Sequence, residues 1–154
     1  MAALEGGKYG IAFSSGMASA DSCMKLLRQG DHVVCCDDVY GGTARLFNNL
    51  MTNYGVEFTY VDSQVAENVQ KAIRPETKMV WVETPTNPLL KVTDLEAVGK
   101  IARSNDLLYV VDTTFATPVF LRPLEYGADL VLHSTTKYLS GHNQIIGGAI
   151  ITDR

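Results

Sequence analysis

Short apolar runs alternate along the chain with stretches in which apolar positions recur every three or four residues. Runs rich in Val, Ile, Leu and Tyr predict strands over Tyr9–Phe13, His32–Cys36, Glu57–Val61, Met79–Glu83, Leu108–Asp112, Leu130–His133 and Ile145–Thr152. Helical spacing predicts helices over Met17–Leu27, Thr43–Tyr54, Val65–Ile73 and Asp94–Ser104. In the first of these, Met17, Ala20, Met24 and Leu27 share one face, and Gly30 stands where the helix should stop. Thr93 and Glu96 make a capping-box pattern at the start of the last. Near-continuous apolar strands alternating with helices imply a mainly parallel, seven-stranded sheet covered on both faces, a three-layer αβα domain of the α/β class. No internal repeat, low-complexity tract or linker divides it, so residues 1–154 are expected to form one domain or one piece of a domain.

Composition narrows the function classes. With 46% hydrophobic and 19% charged residues the chain can bury a core. A net charge of -4, without clustered Lys and Arg, argues against a nucleic-acid partner. No apolar run approaches the roughly 20 residues of a membrane span, and the start Met-Ala-Ala-Leu-Glu-Gly-Gly is unlike a leader, so a soluble, cytoplasmic protein is expected. Cys23, Cys35 and Cys36 lack CxxC spacing and are expected to be reduced core residues. His32, His133 and His142 lack metal-ligand spacing; packing or support of other residues is expected, with no metal.

Ligands of parallel sheets gather beyond the carboxyl ends of the strands. At those ends stand Ser14-Ser15-Gly16-Met17, Asp37 to Gly42, Glu83 to Pro88, Asp112-Thr113-Thr114 and Ser134-Thr135-Thr136-Lys137. Lys137, beside the hydroxyls of Ser134 and Thr136, has the setting to condense with an aldehyde while its neighbours hold a phosphate; it also fits an ordinary surface lysine. Ser15, Gly16 and Met17 open a helix, where backbone amides can face a phosphate, or Ser15 can simply cap that helix. Asp112, ending an apolar strand, needs a partner: a pyridinium nitrogen, an arginine or a capped helix would serve. Tyr40 can lie against a planar ring or pack over Gly41-Gly42. Asn87 can donate to a phenolate-type oxygen, or be a turn residue of Pro-Thr-Asn-Pro.

The motifs Ser14 to Met17, Asp37 to Thr43, Glu83 to Pro88, Val110 to Phe115 and Ser134 to His142 together resemble those of the Cys/Met-metabolism family of pyridoxal-phosphate enzymes, in order and spacing along essentially the whole chain. The resemblance implies an aspartate-aminotransferase-like large domain with pyridoxal 5'-phosphate as cofactor. It implies that Lys137 attaches the cofactor and shuttles protons, that Asp112 meets the pyridine nitrogen and that Tyr40 stacks on the ring. Ser15, Gly16, Met17, Ser134 and Thr136 match phosphate contacts, and Asn87 matches the residue near the phenolic oxygen.

A carbon–sulfur lyase acting on a small sulfur amino acid is implied, cystathionine gamma-lyase first, releasing cysteine, 2-oxobutanoate and ammonia. Cystathionine gamma-synthase or O-acetylhomoserine sulfhydrylase is the alternative, and a non-catalytic module of the same fold is the alternative of another class. A dinucleotide-binding domain fits poorly, since no GxGxxG follows a strand, and no GxSxG marks a nucleophile elbow. Thr113 stands where many relatives have asparagine, Asn143-Gln144 where many end in aspartate, and Gly42 where methionine gamma-lyases usually have cysteine. The resemblance further implies an N-terminal arm and a C-terminal domain outside these residues, so the chain is expected to be a fragment, inactive alone. The complete enzyme is expected to be a homotetramer built as a dimer of dimers.

Overall fold

A computed structural model describes residues 1–154. The seven strands are β1 (Tyr9–Phe13), β2 (His32–Cys36), β3 (Glu57–Val61), β4 (Thr77–Glu83), β5 (Leu108–Asp112), β6 (Leu130–His133) and β7 (Gly148–Thr152). They form one sheet in the order β1-β7-β6-β5-β4-β2-β3. The expected number of strands is present, and β2 to β6 run parallel. The antiparallel exception is β7, wedged between β1 and β6 with Tyr9 opposite Thr152 and His133 opposite Ala149.

Alternate side chains of each strand leave opposite faces, which is why two cores form. Val33, Cys35, Met79, Trp81, Val110 and Leu132 meet Ala20, Cys23, Met24 and Phe47 on one side. Val34, Val80, Val82, Tyr109, Val111 and Val131 meet Val69, Leu95, Val98 and Ala102 on the other. The helices that pack on these faces are α1 (Ala2–Glu5), α2 (Gly16–Met24), α3 (Gly41–Arg45), α4 (Ala66–Ala72) and α5 (Leu95–Ser104), while α6 (Thr117–Phe120) leaves Val119 and Phe120 exposed. Phe47 is the anchor of the first layer, stacked on Phe58 at 4.7 Å and edge-on to Trp81 at 5.2 Å.

Several boundaries differ from the expected ones. The helix expected over Thr43–Tyr54 is a continuous coil of changing pitch: α3, then a π turn over Leu46–Leu50, then a 3-10 turn over Met51–Tyr54. The first helix ends at Met24 rather than Leu27, and Gly30 acts later, its amide bonded to the Gly55 carbonyl at 2.8 Å. Asp94, not Thr93, caps α5, accepting from the Ala97 amide at 3.0 Å. Thr93 is drawn away by Ser63, whose hydroxyl lies 2.7 Å from its own. β7 starts at Gly148 because the apolar residues Ile145 and Ile146 are exposed ahead of it.

Cys23, Cys35 and Cys36 are buried and free, as expected, and burial pushes the Cys23 thiol up to about 12. His32 is a satisfied core residue between the hydroxyls of Thr77 and Thr59. No helix is long and apolar enough to cross a membrane.

Candidate functional site

Parallel pairing brings the polar ends of the strands level. Glu83 at the end of β4 stands beside Asp112 at the end of β5, and Asp112 stands beside Leu132 in β6. The loops leaving these ends diverge and enclose a cavity of about 310 Å³. Ser15, Gly16, Met17, Tyr40, Asn87, Asp112, Ser134, Thr136 and Lys137 all line it. Residues from five separate stretches of sequence therefore meet in one place.

Asp112 is 8% exposed, and its Oδ1 accepts from both the amide and the hydroxyl of Thr114, at 2.9 and 2.6 Å. The backbone part is an Asx turn, a short aspartate closing on the amide two residues on. No group of the chain bonds Oδ2, and no arginine lines the cavity. Burial raises the Asp112 carboxyl above its usual range, while Thr114 and then His133 act the other way. A buried carboxyl with one open oxygen is suited to a cationic N–H donor.

The end of β1 and the exit of β6 form a second wall. Ser15 caps α2, its hydroxyl accepting from the Ala18 amide at 3.1 Å. The amides of Gly16 and Met17, in the first turn, have no carbonyl of their own helix to bond, so they point positive ends at any anion there. Gly16 is required by space: a Cβ on it would come within 2.6 Å of the Ser134 Cβ and 3.0 Å of the Ser134 hydroxyl. Ser134 is held in turn by its own amide, which donates to the Thr114 hydroxyl at 2.9 Å. Thr136 also lines the cavity, but its hydroxyl is engaged with Gly147, accepting from the amide at 3.0 Å and donating to the carbonyl at 3.2 Å.

Tyr40 and Asn87 come from the loops after β2 and β4. The Tyr40 ring leans on Gly42, where a Cβ would lie 2.4 Å from the ring Cε1 and 2.9 Å from the Met17 sulfur. Packing over a glycine and facing the cavity are thus compatible roles for one ring. Lys137 is exposed, its amide bonded to the Ser134 carbonyl at 3.1 Å, and no carboxylate pairs with its ammonium.

Glu83, Thr114, Thr43 and Phe115 line the same cavity and were not among the candidate residues from sequence. Glu83 had a signal, since it ends a predicted strand exactly as Asp112 does; its partners, the distant amides of Tyr40 and Asn87, had none. Thr113, by contrast, is fully buried on the far side, its hydroxyl 3.4 Å from the His133 Nε2. Asn143 and Gln144 are exposed, and His142 and Asn143 both adopt positive φ.

The family model described as Cys/Met metabolism PLP-dependent enzyme matches residues 1–154. Cystathionine gamma-lyase of Bacillus subtilis (strain 168) is 54% identical over 149 residues, covering 97% of this chain and 39% of the relative. A probable cystathionine gamma-synthase of Herpetosiphon aurantiacus is 49% identical over 152 residues, covering 99% of this chain and 48% of the relative. The crystal structure of metB from Corynebacterium glutamicum superposes with a TM-score of 0.98 at 52% identity, over 99% of this chain and 40% of that one. The chain therefore spans less than half the length of each of these three proteins.

Proposed function

Because the chain belongs to the Cys/Met metabolism family of PLP-dependent enzymes, we propose that it forms the cofactor-binding large domain of a trans-sulfuration enzyme, with cystathionine gamma-lyase as its activity. The observation that carries this reading is the convergence, in one cavity, of a lysine without a carboxylate partner, a buried aspartate with an open oxygen and the free amides of a helix start. That donor and acceptor set fits pyridoxal phosphate: a cationic nitrogen for Asp112 Oδ2, an anion for the start of α2 and an aldehyde for Lys137.

When bound, the cofactor supplies an electron sink for the carbon next to the substrate's amino group. Asp112 would face the ring nitrogen and hold its proton; burial raises the free carboxyl, and a cationic N–H at its open oxygen would draw it back to the carboxylate. Gly16, Met17 and Ser134 hold the phosphate, with Ser15 ordering the helix start and Thr136 fixing the turn before Lys137. Tyr40 would cover one ring face, and the Asn87 amide would donate to the phenolic oxygen. Lys137 would be the amine that holds the cofactor's aldehyde end, and its free amine would be the group that moves protons at the substrate carbons.

Gamma-lyase leads on the 54% identity to the Bacillus subtilis enzyme; gamma-synthase is the second reading, supported by the Herpetosiphon relative. The test uses the full-length protein. Incubation with cystathionine alone should release 2-oxobutanoate and cysteine. Synthesis of cystathionine from an activated homoserine ester and cysteine, without net release of 2-oxobutanoate from cystathionine, would assign the second reading instead. Borohydride reduction followed by peptide mapping should place the cofactor mass on Lys137, and a different lysine would overturn the assignment of roles.

A further inference from the structure

Glu83 is 5% exposed, faces the cavity and carries no part of the chemistry outlined above. Its two oxygens are used separately: Oε2 accepts from the Tyr40 amide and Oε1 from the Asn87 amide, both at 2.8 Å. Those amides belong to loops that leave different strands, and the side chain spans the gap between them. The same two loops are joined further out by Lys91 on Asp37, at 2.8 Å, and by Asp38 Oδ2, which accepts from the Thr86 hydroxyl and from the Leu89 amide. The Lys91 and Leu89 links are exposed and screened by water and the Thr86 link is only partly buried, whereas Glu83 is 5% exposed and bonds both loops at once, so it sets the spacing between Tyr40 and Asn87 more directly. Backward along the chain, the Glu83 amide donates to Cys36 Sγ at 3.2 Å, fixing the carboxyl's stem against β2.

We infer that Glu83 is a positioning residue that sets, through one carboxyl group, both the ring-facing Tyr40 and the edge-facing Asn87. The inference rests on the cofactor reading above. Its chemistry is a distance constraint. Tyr40 can cover a ring face only if its backbone is held, and Asn87 can reach the ring oxygen of the same ligand only if its loop keeps step; one rigid acceptor with two oxygens couples the two contacts. Glu83→Gln keeps the size but presents one acceptor and one donor to two N–H groups, so one of the two clips is lost.

The experiment is the visible circular dichroism of the full-length protein with bound pyridoxal phosphate, which reads how asymmetrically the ring is held, together with cofactor affinity. Glu83→Gln should shrink the visible dichroic band and weaken cofactor binding by roughly tenfold to a hundredfold, with the far-ultraviolet spectrum unchanged. A variant whose dichroic band and affinity equal those of the unsubstituted protein overturns the inference. If Glu83→Gln fails to fold, Glu83→Asp, which keeps the acceptors but draws them back by one methylene, must show the same defect. In the unsubstituted, cofactor-free protein, the Tyr40 and Asn87 amides should exchange hydrogen slowly and together; rapid exchange at either overturns the inference without any variant. Failure of the unsubstituted protein to bind pyridoxal phosphate at Lys137 would instead strike the cofactor reading itself.

Discussion

Two buried acids lie on opposite sides of the same strand ends, and they are treated differently. Glu5, from α1, is sealed at 0% exposure against His133 Nε2, with Thr113 completing the group. Asp112 is almost as buried but opens one oxygen onto a cavity. Each group leaves an acceptor without a partner, Glu5 Oε2 in the sealed one and Asp112 Oδ2 in the open one. The sealed acceptor cannot be reached by a ligand, so its desolvation is a permanent cost; the open one can recover that cost when a cation arrives. Burial alone does not distinguish an architectural acid from a functional one. Access to the cavity does.

The strongest way to break this contrast is to remove the open site's nucleophile. Lys137→Ala should abolish the borohydride-trapped adduct and all turnover, while the far-ultraviolet spectrum stays as it was, because Lys137 is exposed and packs little. Persistent turnover at the unsubstituted rate would separate Lys137 from the chemistry.

Next comes the sealed pair. Glu5→Ala leaves the His133 ring nitrogen without its buried hydrogen-bond partner and should cost about 1 to 3 kcal/mol of stability, read by denaturant unfolding of the full-length protein. A loss below about 1 kcal/mol would show that the pair is not the architectural element its burial suggests. Asp112→Asn should behave oppositely: stability unchanged or raised without cofactor, since a desolvated acid is removed, but turnover lowered by about a hundredfold or more, since the ring nitrogen loses its counter-charge. Stability lost and turnover kept would invert the contrast.

The smallest expected effect is on pH dependence. Burial, then the nearby Asp112, pushes the Glu83 carboxyl up to about 8. The folded cofactor-free protein therefore holds this proton more tightly than the unfolded chain does. Stability contributed by the group is present at low pH and declines as pH rises from the ordinary carboxyl range through about 8. This group should pull the melting temperature down over that interval, and Glu83→Gln should flatten that part of the slope, Asp112 contributing with the same sign. His32, lowered by burial, works in the opposite sense in the same interval, so the decisive comparison is between proteins: a Glu83→Gln slope identical to that of the unsubstituted protein would contradict the burial of this acid.

Much of the fold was legible because a parallel sheet covered on two faces needs almost uninterrupted apolar strands, and five strands begin and end where the apolar runs do. Two kinds of feature were not. The antiparallel placement of β7 depends on which edge its partners leave open, and no local pattern encodes that. The changes of pitch between Arg45 and Tyr54 answer to the packing of Phe47 against Phe58 and Trp81, side chains far apart in sequence. In the site, residues that present a side chain at a strand end could be named from sequence, as Asp112 and Lys137 were. Glu83 and Thr114 could not be given roles, since their partners include the backbone amides of Tyr40, Asn87 and Ser134, which only folding brings near.

The pairing of β1 with β7 also sets a schedule for biosynthesis. A ribosome releases Tyr9 to Phe13 early, yet their partner strand, Gly148 to Thr152, is nearly the last part of this sequence to emerge. Until then the first strand has no hydrogen-bonding neighbour, while β2, β3, β4, β5 and β6 can already assemble among themselves. Such distant pairings are slow, because the chain between them must be ordered before the contact repays its closure. Gly16 meets Ser134, and Ser15 beside it lies against Gly148 at the start of β7, so the anion cradle is completed only after β7 is in place. A nascent chain stalled before Gly148 would carry most of the core and no finished cradle, which makes cofactor capture a late marker of maturation.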